Sequence, residues 1–193
     1  MPADDAAPLD LARLFHDHRG GLAGAVRGVL GGGAEVTELL PEILQDAFLR
    51  VWRAKERGTL PADPVGYVFV TTLNLARDHR RRRATSADTK SLEEVPEMEL
   101  TTHDVAPHER LEREEQVTAA RAAIARLKDA EKDVFFLRVS GGLTFDGVAE
   151  ALGIPVGTAK TRMRAALARV RGALPTVLAE PGLLDARDAG RES

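Results

Sequence analysis

Lys160, Thr161, Arg162 and Arg164 fall close together in a segment, Val156–Arg171, that holds cations but no acid. Lysine and arginine attract phosphate. A threonine hydroxyl and an arginine can also hydrogen-bond base edges, with arginine favouring guanine. Drawn as a helix, Val156, Ala159, Met163, Ala166 and Val170 recur at spacings of three and four and form one apolar stripe. Gly157, Thr161, Arg164 and Ala168 lie opposite, flanked by Thr158, Lys160 and Arg171. The small residues there let a backbone come close to a duplex. An ordinary solvated basic face is the plainer reading, but what precedes the segment argues against it. A short helix over Thr144–Leu152 meets the turn Gly153-Ile154-Pro155. Glycine can take the left-handed conformation such a turn needs, and proline suits the first turn of the next helix. The pattern is a helix-turn-helix whose second helix enters a DNA groove.

A second constellation lies upstream, on a helix expected over Pro64–Arg83. Val65, Phe69, Thr72 and Ala76 share one side. Tyr67, Asn74, Asp78 and Arg81 fall near the opposite side, with Arg77 beside them and Arg80, Arg81, Arg82 and Arg83 forming a basic block. An aromatic ring, a carboxamide and arginines on one face can stack on unpaired bases and hold their backbone. Taken alone, those residues fit better a tyrosine that covers the core and a helix end favoured by its dipole. A third helix, expected over Pro41–Lys55 with Pro41 in its first turn, mixes Glu42, Gln45, Asp46, Leu49 and Trp52 beside an apolar stripe. A tryptophan next to arginine is enriched at protein contacts, although a tryptophan at helical spacing is more often core.

These helices belong to a chain of 193 residues, 44% hydrophobic and only 4% aromatic, with no alternating strand pattern. An all-α protein is expected, built as two small helical domains. The expected organisation is an N-terminal domain over 1–84, an acidic flexible linker over 85–106, a C-terminal helix-turn-helix domain over 107–175 and a disordered tail over 176–193. The other expected helices span Leu9–Leu30, Glu109–Leu127 and Ala130–Val139. The net charge of −3 conceals segregation: the two basic blocks flank a stretch, Ala84–Gln116, dense in Asp and Glu. Distribution rather than the sum governs nucleic-acid binding.

The histidines, His16, His18, His79, His103 and His108, are scattered, cysteine is absent, and the Gly31–Gly33 run lacks a following Lys-Ser/Thr. No catalytic residue, metal site, cofactor or small-molecule substrate is expected, and so no enzyme. The acidic start without an apolar core, and the lack of a membrane-length apolar run, point to a cytoplasmic protein.

In this order the motifs resemble the extracytoplasmic-function (ECF) subfamily of bacterial sigma factors, over about Leu9–Leu174. Leu152–Arg162 looks like the family's recognition-helix entry. Ala125-Arg126-Leu127 and Phe135-Phe136-Leu137-Arg138 sit where the family has its Leu-Pro and Phe-Leu-Leu-Arg pattern. Glu42–Arg53 is similar to its polymerase-clamp helix, and Tyr67–Arg83 to its promoter-melting helix. The resemblance implies transcription initiation, with promoter DNA and RNA polymerase core as partners, and it admits an anti-sigma factor. It assigns Gly157, Thr158, Lys160, Thr161, Arg162 and Arg164 to the minus-thirty-five element. Tyr67, Asn74, Arg77 and Arg80–Arg83 would serve the minus-ten element and melting, and Glu42, Gln45, Asp46, Leu49 and Trp52 the polymerase. The chain departs from the family at Thr71-Thr72-Leu73, where a cation is expected, and at Gly147 and Lys128. The alternative reading is a conventional helix-turn-helix regulator that is not a polymerase subunit.

Overall fold

The computed structural model describes residues 9–86 and 117–173, in which every regular element is helical. The expected linker, beyond Thr85 and Ser86, lies outside the described residues, as do 109–116 and the tail. Helix α1 spans Leu11–Leu30. It opens where the Asp10 carboxylate accepts from the Arg13 amide at 3.1 Å, which satisfies one of the amides a helix start leaves unpaired. It buries Leu22, Ala25, Val26 and Val29 as one stripe and stops at Gly31, whose φ of 86° ends the helical path.

Helix α2 covers Ala34–Glu56 and corrects one expectation. Pro41 is not in its first turn; the helix begins at Ala34 and carries the proline in its interior. An interior proline removes an amide and crowds the carbonyl four residues back, a cost of about 3 kcal/mol. Burial of Val36, partial burial of Leu39 and Leu40, and a bond from the Thr37 hydroxyl to the Gly33 carbonyl at 3.1 Å offset it. The local rule for proline was right about cost, and tertiary packing overrode it.

Helix α3 runs Pro64–Ser86, opening where Asp63 Oδ1 accepts from the Gly66 amide at 3.1 Å. It continues past Arg83, with the Thr85 hydroxyl folded back on the Arg81 and Arg82 carbonyls. Phe69, Leu73, Leu75 and Ala76 are buried against α1 and α2, so these three helices form the first lobe.

The second lobe begins with α4, helical at 117–125, followed by α5 at Asp129–Phe135. A plain helix was expected across Ala130–Val139, but from Phe136 to Ser140 the chain widens into a π turn, closed by the Gly141 amide on the Phe136 carbonyl at 2.9 Å. A π turn lets one element re-aim its side chains within a helix. Here it buries both Phe136 and Leu137. Helix α6, Phe145–Leu152, is capped by the Thr144 hydroxyl, which accepts from the Gly147 amide at 3.1 Å. Gly153, at φ 62° and ψ 39°, makes the left-handed turn into α7, Val156–Ala173. Helices α5 and α6 pack on α7 through Val134, Val148, Ala159, Met163 and Ala166.

The lobes are in contact: α1 and α3 touch the π turn, and α3 also touches α6, joining their apolar residues in a single core cluster. Gly147 offers a stability test inside α6. A Cβ there would make ordinary contacts, 3.4 Å or more from Thr144, Asp63 and Leu143. Gly147→Ala is therefore expected to stabilise the protein by about 0.5–1 kcal/mol, through a smaller loss of backbone entropy. Thermal unfolding measures it; a lower midpoint would show that this position does not tolerate a side chain.

Candidate nucleic-acid interface

The recognition-type helix is held by its neighbours. Arg138 donates to the Leu143 carbonyl at 2.8 Å and lies over the Phe145 ring at 5.0 Å. Lys160 approaches the same ring at 5.7 Å, so one aromatic residue ties the π turn, α6 and the start of α7 together. On α7, Ala159, Met163 and Ala166 are buried, as the periodicity requires, while Val156 and Val170 are half-buried. Gly157, Lys160, Thr161, Arg164 and Ala168 are exposed, and Thr158 and Arg162 are half-buried at the edges. The Thr161 hydroxyl donates to the Gly157 carbonyl at 2.9 Å. Arg169 is engaged differently, with its Nε 3.5 Å from the buried Glu131 carboxylate. Glu131 also accepts from the Lys128 amide at 3.0 Å, so it caps α5 while anchoring α7.

The α3 face is less open than its sequence suggests. Asn74 is exposed, its Oδ1 accepting from Arg77 Nη1 at 3.2 Å, and Tyr67 is half-buried against the core. Four of the arginines, Arg77, Arg80, Arg81 and Arg83, already have acids. Arg81 pairs with Asp78 one turn earlier, and Arg83 reaches Glu35 of α2 at 2.5 Å. Arg82 is exposed. Arg80 makes a two-pronged contact across the lobes, with Nη1 and Nη2 at 3.2 and 2.7 Å from the two Asp129 oxygens. Arg77 donates to the Asp129 carbonyl at 3.3 Å and pairs with the Asp133 carboxylate. Its Nε is buried without a hydrogen-bond acceptor among the described residues, with Asp129 Oδ2 3.7 Å away. Position 73, where the family carries a cation, is a fully buried leucine, and Thr72 is buried with its hydroxyl on the Val68 carbonyl at 2.8 Å.

The electrostatics follow the contacts. The hydrogen bonds from Arg80 hold the Asp129 carboxyl below its ordinary value, and Asp129 in turn raises Arg80. Burial pushes Asp133 up despite Arg77 beside it. Lys132, buried between these groups, is lowered by desolvation. Arg50, Asn74, Arg77, Asp78, Arg80 and Arg81 line one cleft of about 470 Å³, closed on the second lobe by Asp129. Arg50, Asp129 and Asp133 were not singled out in the sequence. The four-residue spacing of the two aspartates places them on one helix face, but nothing local says what that face meets.

The residues expected to meet the polymerase lie on α2. Glu42, Gln45 and Trp52 are exposed, Asp46 and Leu49 half-buried, and the indole is 46% exposed. The core reading of Trp52 is thereby set aside. Ile43, Ala47 and Val51 turn inward instead, and Phe48 packs edge-on to Phe15 of α1 at 5.2 Å.

Residues 118–170 match the sigma-70 region 4 family. The chain is 29% identical over 171 residues to the ECF RNA polymerase sigma factor RpoE of Cereibacter sphaeroides, covering 83% of this chain and 91% of that one. Together these matches support an extracytoplasmic-function sigma factor. The chain is also 24% identical to the RNA polymerase sigma-H factor of Pseudomonas aeruginosa, with 91% of each chain aligned. Its fold is shared by the sigma factor RpoE of Bartonella quintana, solved with the anti-sigma factor NepR. That structure matches at a TM-score of 0.61 and 16% identity, over 84% of this chain and 94% of that one. CnrH, solved with the cytosolic domain of CnrY, matches at 0.52 and 22% identity, over 84% and 85%. The sigma factor directs RNA polymerase to promoters and initiates transcription. Sigma factors are generally not enzymes. Among the described residues, no group of three metal-ligating side chains is close enough to hold an ion, and no helix is long and apolar enough to cross a membrane.

Proposed function

We propose that the two lobes divide the promoter between them. The first lobe, within residues 1–84, takes the minus-ten element and the polymerase clamp; the second, within 107–175, takes the minus-thirty-five element. Residues 85–106 serve as the tether. The observation that carries this reading is the exposed, acid-free face of α7, inside the segment that matches region 4. Thr161 and Arg164 face base edges, Lys160, Arg162 and Thr158 take flanking phosphates, and Gly157 allows close approach. On α3, Asn74 and Tyr67 receive an unstacked base while Arg77 and Arg80–Arg83 hold the strand. Glu42, Gln45, Asp46, Leu49 and Trp52 dock on the polymerase. The protein works in the cytoplasm, with no catalytic residues of its own. An anti-sigma factor is a natural regulator, as in the Bartonella complex that shares the fold.

A runoff transcription assay with core polymerase, with and without the chain, tests the role as an initiation subunit. A conventional regulator would leave core polymerase unable to start specifically. At residue level, Arg164→Ala is expected to weaken binding to a selected promoter by about 1–3 kcal/mol, and to relax preference at one base pair of the upstream element. Unaltered discrimination among upstream elements would remove Arg164 from the reading surface.

A further inference from the structure

We propose that Phe145, the first residue of α6, is a positioning residue for promoter binding: its ring holds the Lys160 ammonium near the entry of α7, ready to meet a phosphate, without neutralising it. The proposal rests on the reading of α7 as the helix that enters the duplex.

The ring has a fixed seat. Thr144 caps α6 through the Gly147 amide at 3.1 Å, which sets the backbone of the residue that follows it. Leu143, just before the cap, is buried. Its amide donates to the Leu137 carbonyl at 3.2 Å, and its own carbonyl accepts from Arg138 at 2.8 Å. The Arg138 guanidinium then lies over the Phe145 ring at 5.0 Å. Phe145 is half-buried and packs on the core, so the platform is held in place while part of it stays open to solvent.

Lys160 is exposed, just past the first turn of α7, with its Nζ over that ring at 5.7 Å from the centroid. A surface lysine carries its charge on a long flexible stem, and ordering that stem on binding opposes affinity. The negative face of an aromatic ring attracts the ammonium and orders the stem beforehand. The kind of partner matters. A carboxylate would also hold the lysine, but it would cancel the charge and occupy the donors. A ring leaves the charge intact and N–H groups able to face a phosphate oxygen.

Arg169, further along the same helix, has the other kind of partner. Its Nε faces the buried Glu131 carboxylate at 3.5 Å, and it serves to anchor α7 rather than to meet DNA. Phosphate contacts fix the register and orientation of a recognition helix on its duplex. Lys160 directly precedes Thr161 and lies one turn before Arg164, so a lysine placed in advance sets the register for both.

The test uses the full chain and the duplex that the parent chain enriches from a randomised pool. Phenylalanine at position 145 is replaced by a ring-fluorinated phenylalanine, which keeps the shape but removes the negative face. Phe145→Leu removes the ring altogether. Each change is made beside Lys160 and again beside Lys160→Met, which keeps a flexible stem without the charge. With Lys160 present, fluorination is expected to weaken duplex binding about two- to fivefold. Beside Lys160→Met it should change nothing, because no ammonium is left to hold. A loss of equal size in both backgrounds overturns the proposal, since the ring would then act through packing or through Arg138. No loss in either background overturns it as well. Phe145→Leu should show the same dependence on Lys160, and the fluorinated ring covers the case in which the leucine variant unfolds. In the free chain, the ring current should also move the Lys160 ε-methylene protons upfield of those of an exposed lysine. An ordinary resonance position overturns the contact. Arg164→Ala separates the two readings. If it and Lys160→Met both leave binding unchanged, α7 is not the groove helix and the proposal falls with that reading. If Arg164→Ala weakens binding while fluorination does not, α7 still reads DNA and only the role of Phe145 is lost.

Discussion

Phe69→Ala is expected to destabilise the protein by about 3–5 kcal/mol, a large share of the roughly 5–15 kcal/mol that holds a domain of this kind together. Phe69 has no exposed surface. Its ring stands edge-on to His18 of α1 at 5.8 Å, and it lines the spaces left by Gly21 on α1 and Gly141 after the π turn. Alanine would therefore open a cavity where the first lobe meets the second, and neither could collapse into it without moving a helix. Denaturant unfolding followed by circular dichroism gives the number. A loss below about 1 kcal/mol would mean that the second lobe does not rest on Phe69 in solution.

Trp52→Ala should affect binding rather than stability. The indole stands on the outer face of α2, in line with Glu42, Gln45 and Leu49. A large aromatic surface exposed beside an arginine is the kind of group that dominates an interface once covered. Truncation is expected to weaken association with core polymerase by about 2 kcal/mol, roughly thirtyfold. The folding free energy should change little, because Trp52 is half open to solvent already. Competition binding against the parent chain, paired with a melting curve, separates the two effects. Unchanged polymerase affinity in a folded variant would take Trp52 off the docking surface.

The helix-turn-helix could be read from residue types because every cue was local. Gly153 supplies the left-handed turn, Thr144 the cap, and Ala159, Met163 and Ala166 the buried stripe that turns Thr161 and Arg164 outward. Each needs only neighbours three or four positions away. Pro41 misled for the same reason. Proline's local preference is for a first turn, but burial of Val36 in the preceding turn lies outside what a local rule sees. The π turn at Phe136–Ser140 left no mark in the sequence pattern, since a single widened turn shifts the phase of only a few side chains.

From the chain alone came the helices, their apolar faces, the segregation of charge and the family resemblance, because these are set by residue type and short-range spacing. Only tertiary structure decided what the α3 arginines face. Arg77 and Arg80 read as cations free for a strand, yet Asp129 and Asp133, about fifty positions later, reach them first. The energy of an ion pair depends on separation in space, and no periodicity along a helix reports which distant helix will be packed against it.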